Sequence, residues 1–191
     1  MRSTFSSLAV RNYRLYMIGQ LISSSGTWMQ TVAQSFLVLE LTHSGTALGL
    51  STAARFAPMF LFGPWGGVIA DRLDKRRLLY VTQAAAGLTA LALAALVATH
   101  VINMPLVYAL ATVLGFVNVF DNPARQAFIT ELVEPTLMRN AVTLNSVMLN
   151  LSRIFGAALG GVIAAALGLA LCFAINGLSY AAVLATLVMM R

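Results

Sequence analysis

The chain has 191 residues, 59% of them hydrophobic and 9% charged, with a formal net charge of +6. A soluble domain carries about 25% charged residues, so this composition excludes a domain that faces water on every side. One cysteine, Cys172, excludes an internal disulfide or a cysteine-built zinc site, and the only two histidines, His43 and His100, fall in short loops, so the sequence implies no metal and no cofactor.

Long apolar runs without period-two alternation predict membrane-spanning helices, because backbone polar groups in lipid must be satisfied within the segment. Residues 1–14 read as a cytoplasmic leader. Arg2, Arg11 and Arg14 precede an apolar segment too long for a signal peptide and without a small-x-small cleavage site, so that segment reads as a permanent span. Six helices are predicted, at about 15–40, 45–70, 78–99, 105–128, 141–166 and 169–190. The connections 41–45, 100–104 and 167–169 contain no Lys or Arg. The 71–77 connection carries Arg72, Lys75, Arg76 and Arg77, the 129–140 connection carries Arg139 with Arg125 just before it, and the last residue is Arg191. This alternation follows the positive-inside rule and predicts two cytoplasmic termini. The basic excess is therefore orientation charge, and nucleic acid is not an expected partner.

The first helix carries Gln20, Ser24, Thr27, Thr31 and Gln34 on one face, with Gln30 beside them. Such a stripe is costly against lipid. It predicts either the wall of a water-filled cavity or a helix interface with interhelical hydrogen bonds; Trp28 would add an aromatic wall or simply pack. In the second helix, Arg55 lies 16 residues before Asp71, about 24 Å along the axis, and is expected to snorkel to the outer interface. In the fourth, Asp121 and Arg125 have ion-pair spacing, with Asn118 and Asn122 nearby and Pro123 loosening the helix. The pair either couples a proton to helix movement or holds the helix end. Arg153, near the middle of the fifth helix, is expected to face inward and find a partner, since a central charge costs about 2.5–3.5 kcal/mol. Ser152, Gly156, Gly160 and Ala164, with Gly161 alongside, have the spacing of a close helix contact.

Two short matches suggest an internal repeat. "QSF" at Gln34 returns as "QAF" at Gln126, 92 residues later, and "GGVIA" at Gly66 returns at Gly160, 94 residues later. Helices 1–3 and 4–6 would then be copies of opposite topology, an architecture of secondary transporters. After the first "GGVIA" come six charged residues in seven positions, and after the second come none.

The segment "GGVIADRLDKRRLL" resembles the signature loop of the major facilitator superfamily, matching at Gly67, Ala70, Asp71, Arg72, Lys75 and Arg76, with Asp74 in place of the usual second glycine. "RNYRLYMIGQLISSSGTWMQ", "FDNPARQAF" and "NAVTLNS" are similar to the bacterial exporter branch that includes the enterobactin exporter. "GAALGG" resembles an antiporter motif with Ala157 in place of its proline.

The resemblance implies half of a twelve-helix transporter in the bacterial inner membrane, an ion-driven exporter of a small organic molecule working by alternating access, and no catalysis. It implies that Asp71 latches this half to a second six-helix half when the cytoplasmic side is shut. The missing half would come from the same chain, a partner chain or a dimer mate. The competing reading is a non-transporting membrane partner or assembly protein, which needs packing glycines but not a latch together with a cavity stripe. An impermeant amine reagent applied outside intact cells is expected to leave Lys75 unlabelled and to label it once the cells are opened; labelling from outside overturns this orientation.

Overall fold

The computed structural model describes residues 5–190; Arg2 and Arg191, two of the orientation arginines, lie outside them. The described residues are all-helical and contain no strand. Six long helices form: α1 (Arg11–Thr42), α2 (Gly45–Arg72), α3 (Lys75–Ala98), α4 (Met104–Leu132), α5 (Met138–Leu167) and α6 (Leu169–Met189), with short 3-10 turns at Ser6–Ala9 and Pro135–Leu137. By length and apolarity α3, α4, α5 with its preceding turn, and α6 are able to cross a membrane. The polar stripe dilutes the apolar character of α1, and α2 carries five Gly, two Pro and three charged residues.

The connections explain several loop residues. Ser44 Oγ accepts from Ala47 N–H at 3.4 Å, Asp74 Oδ1 from Arg77 N–H at 2.7 Å, and Asn103 Oδ1 from Leu106 N–H at 3.1 Å, capping α2, α3 and α4. Asp74 thus replaces a turn glycine with a helix cap, at φ −62°. His43 and His100 adopt left-handed backbone, φ 48° and 55°, just past α1 and α3, and so end helices.

The leader is shorter than predicted. Helix α1 starts at Arg11, and the Ser6–Ala9 turn before it packs against α5. Ser7 is fully buried, and its N–H and Oγ both donate to Asn140 Oδ1, at 3.0 and 2.7 Å. The Tyr13 hydroxyl donates to the Ala141 carbonyl at 2.7 Å.

Helix α1 packs against α5 and α6, α2 against α4, and α3 against α4 and α6. This set of pairings maps onto itself when α1, α2 and α3 are exchanged for α4, α5 and α6. The glycines follow the same exchange. Gly66, first of its "GGVIA", faces the Val119 backbone of α4, and Gly160, first of the second copy, faces the Met29 backbone of α1. Gly87 of α3 meets Tyr180 of α6, while Gly177 of α6 meets Leu91 of α3.

Where lipid replaces water, close backbone approach at small residues is the main source of helix–helix attraction. On α5, Ser152, Gly156 and Gly160 are buried at four-residue intervals against Leu21, Ser25 and Met29 of α1. Two expected packing glycines do not take part: Gly67 and Gly161 have open space where a Cβ would sit. Adjacent residues point about 100° apart on a helix, so only one glycine of each pair faces the neighbour.

Replacing Gly156 by Val drives a side chain into the Ser25 carbonyl and to within 2.9 Å of Trp28 Cβ; a loss of about 1–3 kcal/mol is expected. Gly161→Val, in open space, is expected to stay within about 0.5 kcal/mol. Thermal unfolding in detergent checks both, and equal effects would refute the α1–α5 register.

Candidate functional site

A cavity of about 900 Å³ lies between α1, α2, α4 and α5, with Tyr180 of α6 at its back. The α1 stripe faces it: Gln20, Ser24, Thr27, Thr31 and Gln34 all line it, as does Trp28. Gln30 does not. It lies about 80° round the helix from the centre of the stripe, in the α1–α6 interface, where its Oε1 accepts from Asn176 Nδ2 at 2.6 Å. One α1 face thus lines a cavity, while Gln30, expected beside that stripe, makes an interhelical hydrogen bond instead.

The floor of the cavity is a buried charge pair. Arg125 Nε donates to Asp121 Oδ2, and Arg125 Nη1 donates to Gln20 Oε1. Asp121 Oδ1 also accepts from Thr82 Oγ1 and Gln83 Nε2 of α3, both at 2.7 Å. Asp121 is 3% exposed, and Gln20 and Gln83 are fully enclosed. Five side chains on α1, α3 and α4 therefore satisfy one another around two opposite charges. Two atoms stay unpaired, Gln20 Nε2 and Gln83 Oε1. Thr82 and Gln83 were not anticipated; the signal was present, since Gln83 is the one amide side chain in α3.

Above this floor the cavity holds Arg55, contrary to its expected place at the outer interface. Its Nη1 donates to Thr31 Oγ1 at 3.0 Å, and it lines the cavity. The α1 stripe supplies an acceptor close at hand, so the side chain turns inward instead of reaching for a distant headgroup. Nearby, Gln34 Nε2 donates to Ser51 Oγ at 3.2 Å, and the Tyr180 and Thr27 hydroxyls lie 3.2 Å apart.

Arg153 does not face inward as expected. It is exposed on α5 and makes no ion pair among the described residues; its guanidinium lies 4.6 Å above the Trp28 ring. The partner is a π face, because the α5 face that meets α1 is taken by Ser152 and Gly156.

The charged connection lies apart from the cavity, between α2 and α3. Ala70 is fully buried. Lys75 Nζ donates to the Asp71 carbonyl at 2.8 Å and lies 3.9 Å from Glu131 of α4. Arg76 Nη2 donates to the Leu187 carbonyl and, at 3.0 Å, to the Met190 carbonyl, closing the end of α6. Asp71 and Arg72 are exposed, and their side chains have no partner among the described residues. Close approach at this end comes from Gly66, not Gly67.

No group of three or more His, Cys, Asp or Glu suited to a metal occurs among the described residues. A family model described as transmembrane secretion effector matches residues 2–191. The chain is 31% identical over 141 residues to the staphyloferrin A transporter of Staphylococcus aureus, covering 73% of this chain and 36% of that protein. It is 29% identical over 161 residues to YfiS of Bacillus subtilis, an uncharacterized MFS-type transporter, covering 84% of this chain and 37% of that protein. It is 32% identical over 171 residues to BacE of Bacillus subtilis, provisionally named a bacilysin exporter, covering 88% of this chain and 42% of that protein. The chain therefore spans about two-fifths of the length of these relatives.

Removing one partner of a buried pair leaves an uncompensated charge. Asp121→Ala is expected to cost about 3 kcal/mol, and Asp121→Ala with Arg125→Leu clearly less than that single change. Denaturation of the three proteins in detergent measures the difference; a double variant no more stable than Asp121→Ala would show that the pair does not act as a unit.

Proposed function

The chain belongs to the major facilitator superfamily of membrane transporters, and from that premise we propose that it is the N-terminal half of a secondary active exporter of a small organic molecule. The observation that carries this reading is the cavity: a polar α1 face, a buried ion pair and an arginine enclose about 900 Å³ inside an otherwise apolar bundle. Packing alone has no use for such a volume, since empty polar space in a membrane bundle costs stability. A non-transporting partner would be expected to fill it with side chains.

In this proposal all six helices cross the bacterial inner membrane as two inverted three-helix repeats, with both termini in the cytoplasm. The self-matching helix pairings and the reciprocal Gly87 and Gly177 contacts support the repeat. A second six-helix half closes the cavity. Broad exposed apolar faces on α2, with Phe60 87% and Trp65 63% exposed, and on α5, with Ile154 64% and Val162 67% exposed, provide surface for that half and for lipid. The two halves rock about the cavity. Asp71 and Arg72, exposed and unpartnered where Lys75 and Arg76 are already engaged, are the groups left to grip the second half when the cytoplasmic side is shut. The second "GGVIA" needs no such charges, because α5 runs toward the outer face.

Energy comes from an ion gradient, and Asp121 with Arg125 is the proposed coupling pair. A proton on Asp121 removes the charge that holds Arg125, and Arg125 bridges α4 to Gln20 of α1. Protonation thus loosens one helix contact in the middle of the half. Ala157, standing where the antiporter motif has proline, leaves α5 an unbroken helix and gives antiport no support from that motif.

The latch is tested in a Cys172→Ser background with Asn118→Cys as a cavity reporter. Asp71→Asn is expected to leave membrane insertion unchanged and to raise labelling from the cytoplasmic side by an impermeant maleimide about tenfold, the effect of weakening a closed state by about 1.4 kcal/mol. Unchanged labelling would remove the latch from the mechanism.

A further inference from the structure

Arg55 is the one charged group in the cavity without an opposite charge. The lining contains three ionisable side chains of full charge, Arg55, Arg125 and Asp121, and no Lys, Glu or His. Asp121 is committed to Arg125. Arg55 touches Thr31 near the upper part of α1, whereas Arg125 touches Gln20. Those contacts are 11 residues apart on α1, roughly 16 Å along the axis. At that distance, and with Asp121 and Arg125 already offsetting each other, the lower pair leaves Arg55 without a counter-charge. The cavity therefore carries one net positive charge, held in its upper part.

That charge is aimed. Thr31 Oγ1 donates its proton to the Thr27 carbonyl at 2.8 Å, so toward Arg55 it acts as acceptor. The Thr27 hydroxyl likewise donates to the Ser23 carbonyl at 3.0 Å. Thr31, its own hydroxyl oriented by the Thr27 carbonyl, fixes one nitrogen of the guanidinium against α1. A guanidinium has five N–H donors in a planar fork, and the structure assigns one of them to a protein acceptor. The others are free for a planar anion, which such a fork binds through two parallel hydrogen bonds. Lower down, Gln20 Nε2 is a second unpaired donor in the same lining. Trp28, Phe56, Met59 and Leu149 give the cavity apolar walls, and its volume is that of sites for drug-sized ligands.

We propose that Arg55 is the anion-binding residue of this cavity and that the transported molecule is an organic anion, its carboxylate or comparable acidic group seated on the Arg55 guanidinium and its carbon body against Trp28 and Phe56. This rests on the reading of the cavity as the substrate path. It adds the charge of the substrate and the residue that selects it. Thr31 is a positioning residue, which acts by holding the guanidinium.

Two impermeant thiol reagents of similar size and opposite charge serve as probes: sulfonatoethyl methanethiosulfonate and its trimethylammonium counterpart. The reporter is Thr52→Cys in the Cys172→Ser background, in native membranes; Thr52 lines the cavity one turn from Arg55. With each rate taken relative to the same reagent's rate with a free small thiol, the anionic reagent is expected to react faster, and Arg55→Gln to lower this anionic-to-cationic ratio at least about fivefold, the effect of one nearby charge in a medium of intermediate dielectric. Arg55→Lys is expected to keep most of the ratio, which separates charge from packing. In a direct binding assay, dansylglycine is expected to lose at least tenfold in affinity on Arg55→Gln, while uncharged dansylglycinamide is unaffected. A parent ratio near one, as when a carboxylate from an adjoining half neutralises Arg55, overturns the proposal, and so does a ratio unmoved by Arg55→Gln. Failure of Thr52→Cys to react with either reagent overturns the aqueous cavity itself, and with it both proposals.

Discussion

Asp121 and Arg125 sit one turn apart on α4, closed off by α1 and α3, and the rest of the bundle accommodates what they require. A charge in a low-dielectric interior persists only if it is paired and its remaining hydrogen-bonding capacity is filled. Asp121 is acceptor-only, and it meets Arg125, Thr82 and Gln83; Arg125 in turn meets Gln20. These contacts draw three helices to one point. Helix α1 has to present Gln20 there, which sets its rotation, and that rotation carries the whole polar stripe into the cavity.

Close packing provides the complementary constraint. Little hydrophobic force drives one helix toward another in lipid, so attraction depends on backbones approaching closely at small residues. Gly26 against Asn176 and Ser179, Gly115 against Arg55 and Pro58, and Gly156 against Ser25 and Trp28 each remove a side chain where two helices meet. Two apolar clusters brace the ends, one around Tyr16, Leu79 and Phe128, the other around Leu37, Leu93 and Phe173. The polar groups lie between them. Cavity and packing seams use different faces of the same helices, so α1 bears Gly26 toward α6 and Thr27 toward the cavity within two residues.

The charged α2–α3 connection is divided between two tasks. Asp74 caps α3, Arg76 closes the end of α6, and Lys75 ties the end of α2 to α4 through Glu131. These contacts stabilise this bundle by itself. Asp71 and Arg72 have no such engagement. A cluster that reads as one motif in sequence is thus part internal fastening and part exposed charge.

Much of this was legible from residues alone. Helix type, the approximate limits of the six helices, the polar face of α1 and the Asp121–Arg125 spacing all follow from periodicities within one segment. What depended on tertiary structure is whatever involves the rotation of one helix against another. Sequence spacing places Gly66 and Gly67, or Gly160 and Gly161, equally well; only the neighbouring backbone selects the first of each pair. Arg55 was expected at a headgroup because hydropathy sees one helix, whereas its acceptor, Thr31, is on another. Arg153 was expected to find a partner and found the face of Trp28. Gln30 left the stripe for Asn176. Local chemistry determines which residues are polar, small or charged along a helix. Which of them meet is decided by the packing, because a side chain's partner lies across an interface whose register no single segment contains.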